Sequence, residues 1–99
     1  WSQWSIAWQS AGRTPEPWIG PDILEVIDQL ASTRDTDEPI DGVMVSACGF
    51  VADHLEVLFD LDIEAEGHAR ARGLAFGRTA CVNDDPKVMA ALAQRVIHA

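Results

Sequence analysis

The hydrophobic residues of this chain fall into six blocks, and the spacing within each block predicts its secondary structure. Three blocks are apolar runs of strand length, and three repeat their apolar residues at helical spacing. The strands are predicted over 4–9, 42–48 and 74–80, and the helices over 21–32, 52–72 and 85–98. Strands that alternate with helices are typical of a three-layer α/β unit, in which right-handed crossovers join the strands of one parallel sheet.

The strand over 42–48 has the strongest signal, because its apolar residues follow one another without a break. Such a run predicts a strand buried on both faces in the middle of a parallel sheet. Binding sites in these sheets lie at the carboxyl ends of the strands. The first of those ends leads into a proline-rich loop that carries Trp18, and ordered loops with aromatic rings often line sites. The last helix carries an apolar stripe made of Val88, Leu92 and Val96.

Three carboxylates stand out in the helix predicted over 52–72. Glu56, Asp60 and Glu64 lie four residues apart, so each step turns only ~40° around an α-helix and the three side chains form one ridge. Asp53 extends this ridge, and no basic residue lies near it in the sequence. Carboxylate oxygens in a row without basic partners suit a hydrated divalent cation.

A solvated acidic face is the plainer interpretation of the ridge, since charged helix faces usually point to water. Its apolar neighbours, however, favour a largely buried helix, and its start near the end of a strand favours a site. His54, beside the ridge, is a second candidate, although a histidine next to an apolar face more often packs and makes a hydrogen bond than binds a ligand. Both interpretations stay open at this point, for the ridge and for His54.

The net charge of −9, from 7 basic and 16 acidic residues, disfavours binding to nucleic acids and to anionic membrane surfaces. Two cysteines, Cys48 and Cys81, are too few for a four-thiolate zinc or iron–sulfur site, and we expect buried free thiols in a reducing cytosol. No apolar run is long enough for a membrane span, and no signal peptide is recognisable. These features predict a cytoplasmic protein with at most peripheral membrane association. The chain begins at Trp1 without an initiator methionine, from which we expect a cut end of a longer protein.

Three sequence blocks resemble the C-terminal domain of bacterial ferrochelatases. They are Trp8-Gln9-Ser10, Pro17-Trp18-Ile19-Gly20-Pro21, and the block from Gly49 to Glu64 with the sequence GFVADHLEVLFDLDIE. The blocks occur in the family's order and at about its separations, and the similarity extends over nearly the whole chain. The third block is long and specific, and it is the main support for the resemblance.

The resemblance implies a protein of two similar flavodoxin-like domains, each a four-stranded parallel sheet flanked by helices, with a porphyrin cleft between them. Residues 1–99 would form the C-terminal chelatase domain, and the N-terminal domain would be missing. The implied reaction inserts ferrous iron into protoporphyrin or coproporphyrin, a choice that the sequence leaves open. Iron and porphyrin are then substrates, and no permanently bound cofactor is expected. Some relatives carry an iron–sulfur cluster, which this chain is not expected to bind.

The resemblance also assigns roles to individual residues. Glu56 matches the carboxylate that faces the porphyrin centre, opposite a histidine of the N-terminal domain. Asp60 and Glu64 match the acidic residues of a helix with wide, π-type turns, which leads metal or protons to or from the site. The site candidates are Glu56 and His54 for catalysis, Glu56, Asp60 and Glu64 for the metal, and Ser10 and Trp18 for the porphyrin pocket.

Length limits what this chain does by itself. At 99 residues it is about a third as long as the family it resembles, so we expect that the isolated chain neither closes the cleft nor inserts iron. One alternative is a single-domain metal- or tetrapyrrole-binding module that acts as a homodimer. Another is a structural domain without a site.

Overall fold

The computed structural model describes residues 4–9 and 20–99. The helices are α1 (Ile23–Ala31), a 3₁₀ helix (Ser32–Asp35), α2 (Leu55–Val57), π1 (Leu58–Ala65), α3 (Glu66–Ala71) and α4 (Pro86–Ile97), and the strands are β1 (Gly42–Val45) and β2 (Ala75–Arg78). Because α2, π1 and α3 follow one another without a break, we call them together the acidic helix, 55–71. The predicted mixed α/β class is confirmed, and the sheet is parallel.

β1 and β2 form a two-stranded sheet within the part of the chain that the structure describes. Their register places Gly42 opposite Ala75. The segment 4–9 does not join this sheet. The Trp8 N–H donates to the Pro21 carbonyl, and the Trp8 carbonyl accepts from Ile23 N–H, both at 3.0 Å. The prediction of a sheet strand over 4–9 is therefore wrong for this chain, because the segment makes one parallel bridge to the start of α1 instead.

β1 is shorter and more exposed than its sequence predicts. It ends at Val45, and its four residues alternate between exposed and half-buried positions. Met44 leaves 72% of its surface open to solvent. The prediction of a strand buried on both faces is wrong here, because Gly42 and Met44 are exposed, and alternate residues of a strand share one face.

The core lies between α1, the acidic helix and the start of β2. Its buried hydrophobic residues are Ile23, Ile27, Val57, Leu61, Ala65, Ala69 and Leu74. Burial of Ile27 and Leu61, both fully enclosed, contributes about 1.5–3 kcal/mol each to folding.

α4 begins where the sequence predicts, since the Asp85 carboxylate accepts hydrogen bonds from Lys87 N–H and Val88 N–H and Pro86 opens the first turn. The predicted apolar stripe is present but packs against little. No residue of α4 is buried, and Leu92 and Val96 are 53% and 77% exposed. The stripe is thus an apolar surface that the described chain leaves open.

The cysteines differ from expectation in part. Both thiols are free, but Cys48 is exposed and Cys81 is half-buried, so the prediction of buried thiols is wrong for Cys48. Cys48 lies in the loop that follows the short strand β1. The helices described here include none that is long and apolar enough to cross a membrane.

Candidate active site

The acidic helix contains the wide turns that the family resemblance implied. Leu58–Ala65 is a π-helix of 8 residues between two α-helical segments. Hydrogen bonds from i to i+5 widen each turn, and π segments occur often at functional sites. The carboxylates at 56, 60 and 64 span α2 and π1, so the ~40° step of a regular α-helix does not describe their relative positions.

The three carboxylates occupy different environments. Asp60 is buried, with 4% of its surface exposed, whereas Glu56 is exposed and Glu64 is intermediate. Gln9 Nε2 donates to Asp60 Oδ2 at 3.5 Å, a long contact that ties the segment 4–9 to π1. Residues 4–9 and 20–99 include no group of three or more histidine, cysteine or acidic side chains arranged to hold a metal ion.

His54 caps the acidic helix. Its Nδ1 accepts a hydrogen bond from Glu56 N–H at 3.2 Å, which assigns the proton of the neutral ring to Nε2. The ring also packs edge-on against Phe50, with 4.6 Å between the ring centroids. These contacts support the interpretation of His54 as a packed, hydrogen-bonded residue. The hydrogen bond from Glu56 N–H to its ring fixes the backbone of Glu56.

A cavity of about 800 Å³ opens between the segment 4–9 and β1. Its lining is mostly apolar and continues past the end of β1 to Gly49 and Phe50, near the start of the acidic helix. Glu56 is the one charged residue among the described residues that line it. A single carboxylate in an apolar concave surface is the usual composition of a binding site, with few polar groups in fixed places.

A cluster around Arg78 was not predicted from the sequence. The guanidinium makes two hydrogen bonds to Asp62, with Nε to Oδ1 at 2.5 Å and Nη2 to Oδ2 at 2.9 Å, and Nη1 donates to Asp53 Oδ1 at 2.8 Å. Asp53 therefore does not extend a ridge without basic partners, because a residue distant in sequence neutralises it. The only sequence signal was the position of Arg78, a single basic side chain within the third predicted strand.

The loop that follows β2 completes this cluster. Asn83 Nδ2 donates to Asp53 Oδ2, and Asp53 N–H donates to Asn83 Oδ1, both at 2.8 Å. Asn83 adopts the left-handed conformation, with φ 52°, which asparagine tolerates better than most residues. The hydrogen bonds from Asn83, Cys81 and Arg78 lower the pKa of Asp53, and Arg78 lowers the pKa of Asp62 by hydrogen bonding and charge.

Two predicted site residues, Ser10 and Trp18, lie outside the described residues. Their assignment to the porphyrin pocket stays a prediction.

Comparisons with known proteins agree with the sequence blocks. The family model described as Ferrochelatase matches residues 1–99. A ferrochelatase of Thermus thermophilus is 51% identical over 80 residues, which cover 81% of this chain and 24% of the relative. A ferrochelatase of Deinococcus radiodurans is 43% identical over 91 residues, or 92% of this chain and 27% of the relative. A coproporphyrin III ferrochelatase of Geobacillus thermodenitrificans is 40% identical over 96 residues, or 97% of this chain and 29% of the relative.

The matched residues thus span 24% to 29% of the length of these relatives. The family model nevertheless matches the chain over its whole length, residues 1–99. On these grounds the chain belongs to the ferrochelatase family.

Proposed function

We propose that the whole protein inserts ferrous iron into a porphyrin and that Glu56 is the carboxylate nearest the metal. The observation that supports this most directly is the position of Glu56, the one charged residue among the described residues lining an apolar cavity of about 800 Å³. Membership of the ferrochelatase family supports the same reaction.

The chemistry suits a carboxylate in this position. Metal insertion removes water from Fe²⁺ and two protons from the pyrrole nitrogens. Glu56 replaces a water ligand of the incoming ion or accepts a pyrrole proton, and a second domain closing over the apolar lining would strengthen either interaction by excluding water. Asp60 and Glu64 would continue from Glu56 along π1 as a relay for metal or protons, and the wide turns set the direction of each side chain.

The rest of the protein supplies what this chain does not contain. We place the porphyrin against Ser10 and Trp18 and assign the histidine opposite Glu56 to an N-terminal domain. The reaction needs no resident cofactor from these residues, since iron enters as substrate. We propose a cytoplasmic protein, at most peripherally bound to membranes, because its charge of −9 repels anionic lipid surfaces.

We further propose that this chain belongs to the C-terminal half of a two-domain, flavodoxin-like fold. The open edge of β1 and the segment 4–9 face each other across the apolar cavity, which suits an additional strand from the remaining part of the protein. A strand in that position would satisfy the free backbone edge of β1, and the exposed stripe of α4 would cover apolar surface of the other domain. Glu56 would remain at the carboxyl end of the sheet, where sites of parallel sheets lie.

The relatives' names include both ferrochelatase and coproporphyrin III ferrochelatase. Either porphyrin is therefore a reasonable substrate, and competition between protoporphyrin IX and coproporphyrin III in one assay would identify the preferred one.

The experiment that tests the main proposal compares the whole protein with its Glu56→Gln variant. Porphyrin metallation with Fe²⁺, followed anaerobically by absorbance, should fall at least a hundredfold in the variant, because the amide neither binds the ion as a carboxylate does nor accepts a proton. Glu38→Gln is the matched control, since Glu38 is exposed in the loop before β1, and it should keep wild-type turnover. Near-normal turnover of Glu56→Gln would contradict the assignment.

The exposed α4 stripe and the open cavity also favour a second candidate, a homodimeric metal- or tetrapyrrole-binding module. Sedimentation of the 99-residue chain separates the two candidates. A stable dimer that binds porphyrin would favour the module, whereas a monomer without porphyrin affinity would favour one half of the larger enzyme.

A further inference from the structure

We infer that Arg78 is a positioning residue for the reaction: it holds the start of the acidic helix in the place that directs Glu56 into the cavity. This inference rests on the proposed function, because it assigns Arg78 a role in metal insertion through Glu56. It is carried by the contacts of one guanidinium with two distant points of the same helical region.

Arg78 connects the entry of the acidic helix to its middle. Nη1 donates to Asp53, two residues before the first helical turn. Nε and Nη2 donate to the two carboxylate oxygens of Asp62 inside π1. Nη1 also donates to the Thr79 carbonyl at 3.1 Å. A planar guanidinium that binds both oxygens of a carboxylate fixes orientation as well as distance, which a lysine ammonium does not.

The guanidinium is itself well anchored. Arg78 is the last residue of β2, and its side chain is 14% exposed. Asp53 is held from the other side by Asn83, through one hydrogen bond to its carboxylate and one from its backbone N–H. Cys81 N–H also donates to Asp53 Oδ1, at 3.3 Å. Asp53 is therefore fixed by three neighbours, and movement at any one of them is resisted by the other two.

A short path leads from this anchor to Glu56. Asp53 precedes His54, and His54 accepts the hydrogen bond from Glu56 N–H that caps the helix. Displacement of Asp53 would change the direction in which the chain enters the helix and, with it, the direction of the Glu56 side chain. The same guanidinium binds Asp62 on π1. The start of the acidic helix and π1 are therefore held in a fixed position relative to each other.

Arg78 acts from a distance and not on the substrates. Arg78 does not line the cavity. Its guanidinium donates hydrogen bonds to the carboxylates of Asp53 and Asp62 and to one backbone carbonyl. Its effect should thus appear in the rate of the chemical step and not in porphyrin binding. Misplacing a reacting group by about 1 Å is enough to lower a rate by up to a hundredfold.

The test uses the whole protein with Arg78→Gln and Arg78→Lys, and Arg70→Gln as the matched control. Arg70 lies on the same helical region, but its side chain is exposed, and among the described residues it bonds Glu66 in the preceding turn as a surface pair. Porphyrin binding, measured by fluorescence quenching, counts the competent sites in each preparation. Metallation by Fe²⁺ is then expressed per competent site, which removes any effect of misfolded protein.

We expect Arg78→Gln to lower kcat per site about tenfold or more, with KM for porphyrin unchanged. Arg78→Lys should recover part of the loss in kcat, because it restores the charge but not the bidentate hydrogen bonding to Asp62. Arg70→Gln should match wild type. Adding Asp62→Asn to Arg78→Gln should cause little further loss, since both changes remove the same contact.

A kcat of Arg78→Gln within twofold of wild type, or an equal loss in Arg70→Gln, would overturn the inference. Amide hydrogen exchange separates it from the proposed function. If the wild-type protein inserts no iron, the proposed function fails, while faster exchange over 53–58 but not over 23–31 in Arg78→Lys would still support the positioning of this segment. Unchanged exchange over 53–58 would count against it.

Discussion

The helical region from Asp53 to Glu64 carries two sets of carboxylates whose surroundings differ. Asp53 and Asp62 face Arg78. Hydrogen bonds from Asn83, Cys81 and Arg78 hold the pKa of Asp53 below its ordinary range, and Arg78 lowers the pKa of Asp62. Glu56 instead lines the apolar cavity, and no hydrogen bond or ion pair involves its carboxylate among the residues described. Asp53 and Asp62 are neutralised, whereas the Glu56 carboxylate stays exposed at the cavity.

This difference shows how one helix combines structure and chemistry. The neutralised pair fixes the helix to β2 and to the loop after it, so the cost of its negative charges is largely offset. The rest of the acidic region can then present a carboxylate to an apolar cavity, where a metal ion or a proton would be its partner. Four predictions test this difference between the carboxylates.

The largest effect on stability is expected for Leu61→Ala. Leu61 is fully buried in π1, between the two sets, and its truncation should lower the free energy of unfolding by about 2–5 kcal/mol. Urea unfolding followed by far-UV circular dichroism measures the change. Leu55→Ala, on a side chain that is 81% exposed, should stay within about 0.5 kcal/mol of wild type. Equal losses in both variants would show that the helix is not packed as described.

A metal titration sharpens the comparison between the sets. In the whole protein, Glu56→Gln should weaken Co²⁺ or Fe²⁺ binding about tenfold or more, because a carboxylate ligand is lost. Asp53→Asn should change metal affinity much less, since Arg78 and Asn83 already occupy that carboxylate. Isothermal titration calorimetry measures both. Equal weakening in the two variants would mean that the sets do not differ in function.

Stability should depend on pH through the neutralised set. The folded pKa of Asp53 lies below its unfolded value of about 3.9, so its contribution is complete above that value and is lost as pH falls towards the folded pKa. Asp62 shifts in the same direction. Thermal unfolding at pH 6 and pH 3.5 should thus show a smaller drop in Tm for Asp53→Asn than for wild type. The same drop in both would contradict the pairing with Asn83 and Arg78.

The smallest effect is expected at the exposed end of the helix. Glu66 and Arg70 form an i, i+4 ion pair at 2.8 Å, with Arg70 61% exposed. Glu66→Gln should lower the free energy of unfolding by only about 0.3–0.5 kcal/mol, and 1 M NaCl should abolish the difference. If Glu66→Gln lowered the free energy of unfolding as much as an Arg78 variant does, the surface ion pair and the partly buried one would not differ in their contribution to stability.

Much of the fold was predictable because its signals are local. Asp85 and Pro86 mark the start of α4, and the Gly42 run marks β1, since capping and apolar length depend on neighbouring residues. The segment 4–9 was misassigned for the opposite reason. Its apolar composition suits a strand, but whether a strand joins a sheet depends on a partner edge, and here the backbone pairs with the start of α1.

The sequence by itself determined the family, through a long block of specific residues, and the presence of a run of carboxylates without basic neighbours. Only the tertiary structure decided which carboxylates are neutralised. Arg78 lies 16 residues from Asp62 and 25 from Asp53 in sequence, and folding brings its guanidinium within hydrogen-bonding distance of both. Spacing along a helix fixes which side chains share a face, whereas charge balance depends on what packs against that face, and π1 changes even the spacing.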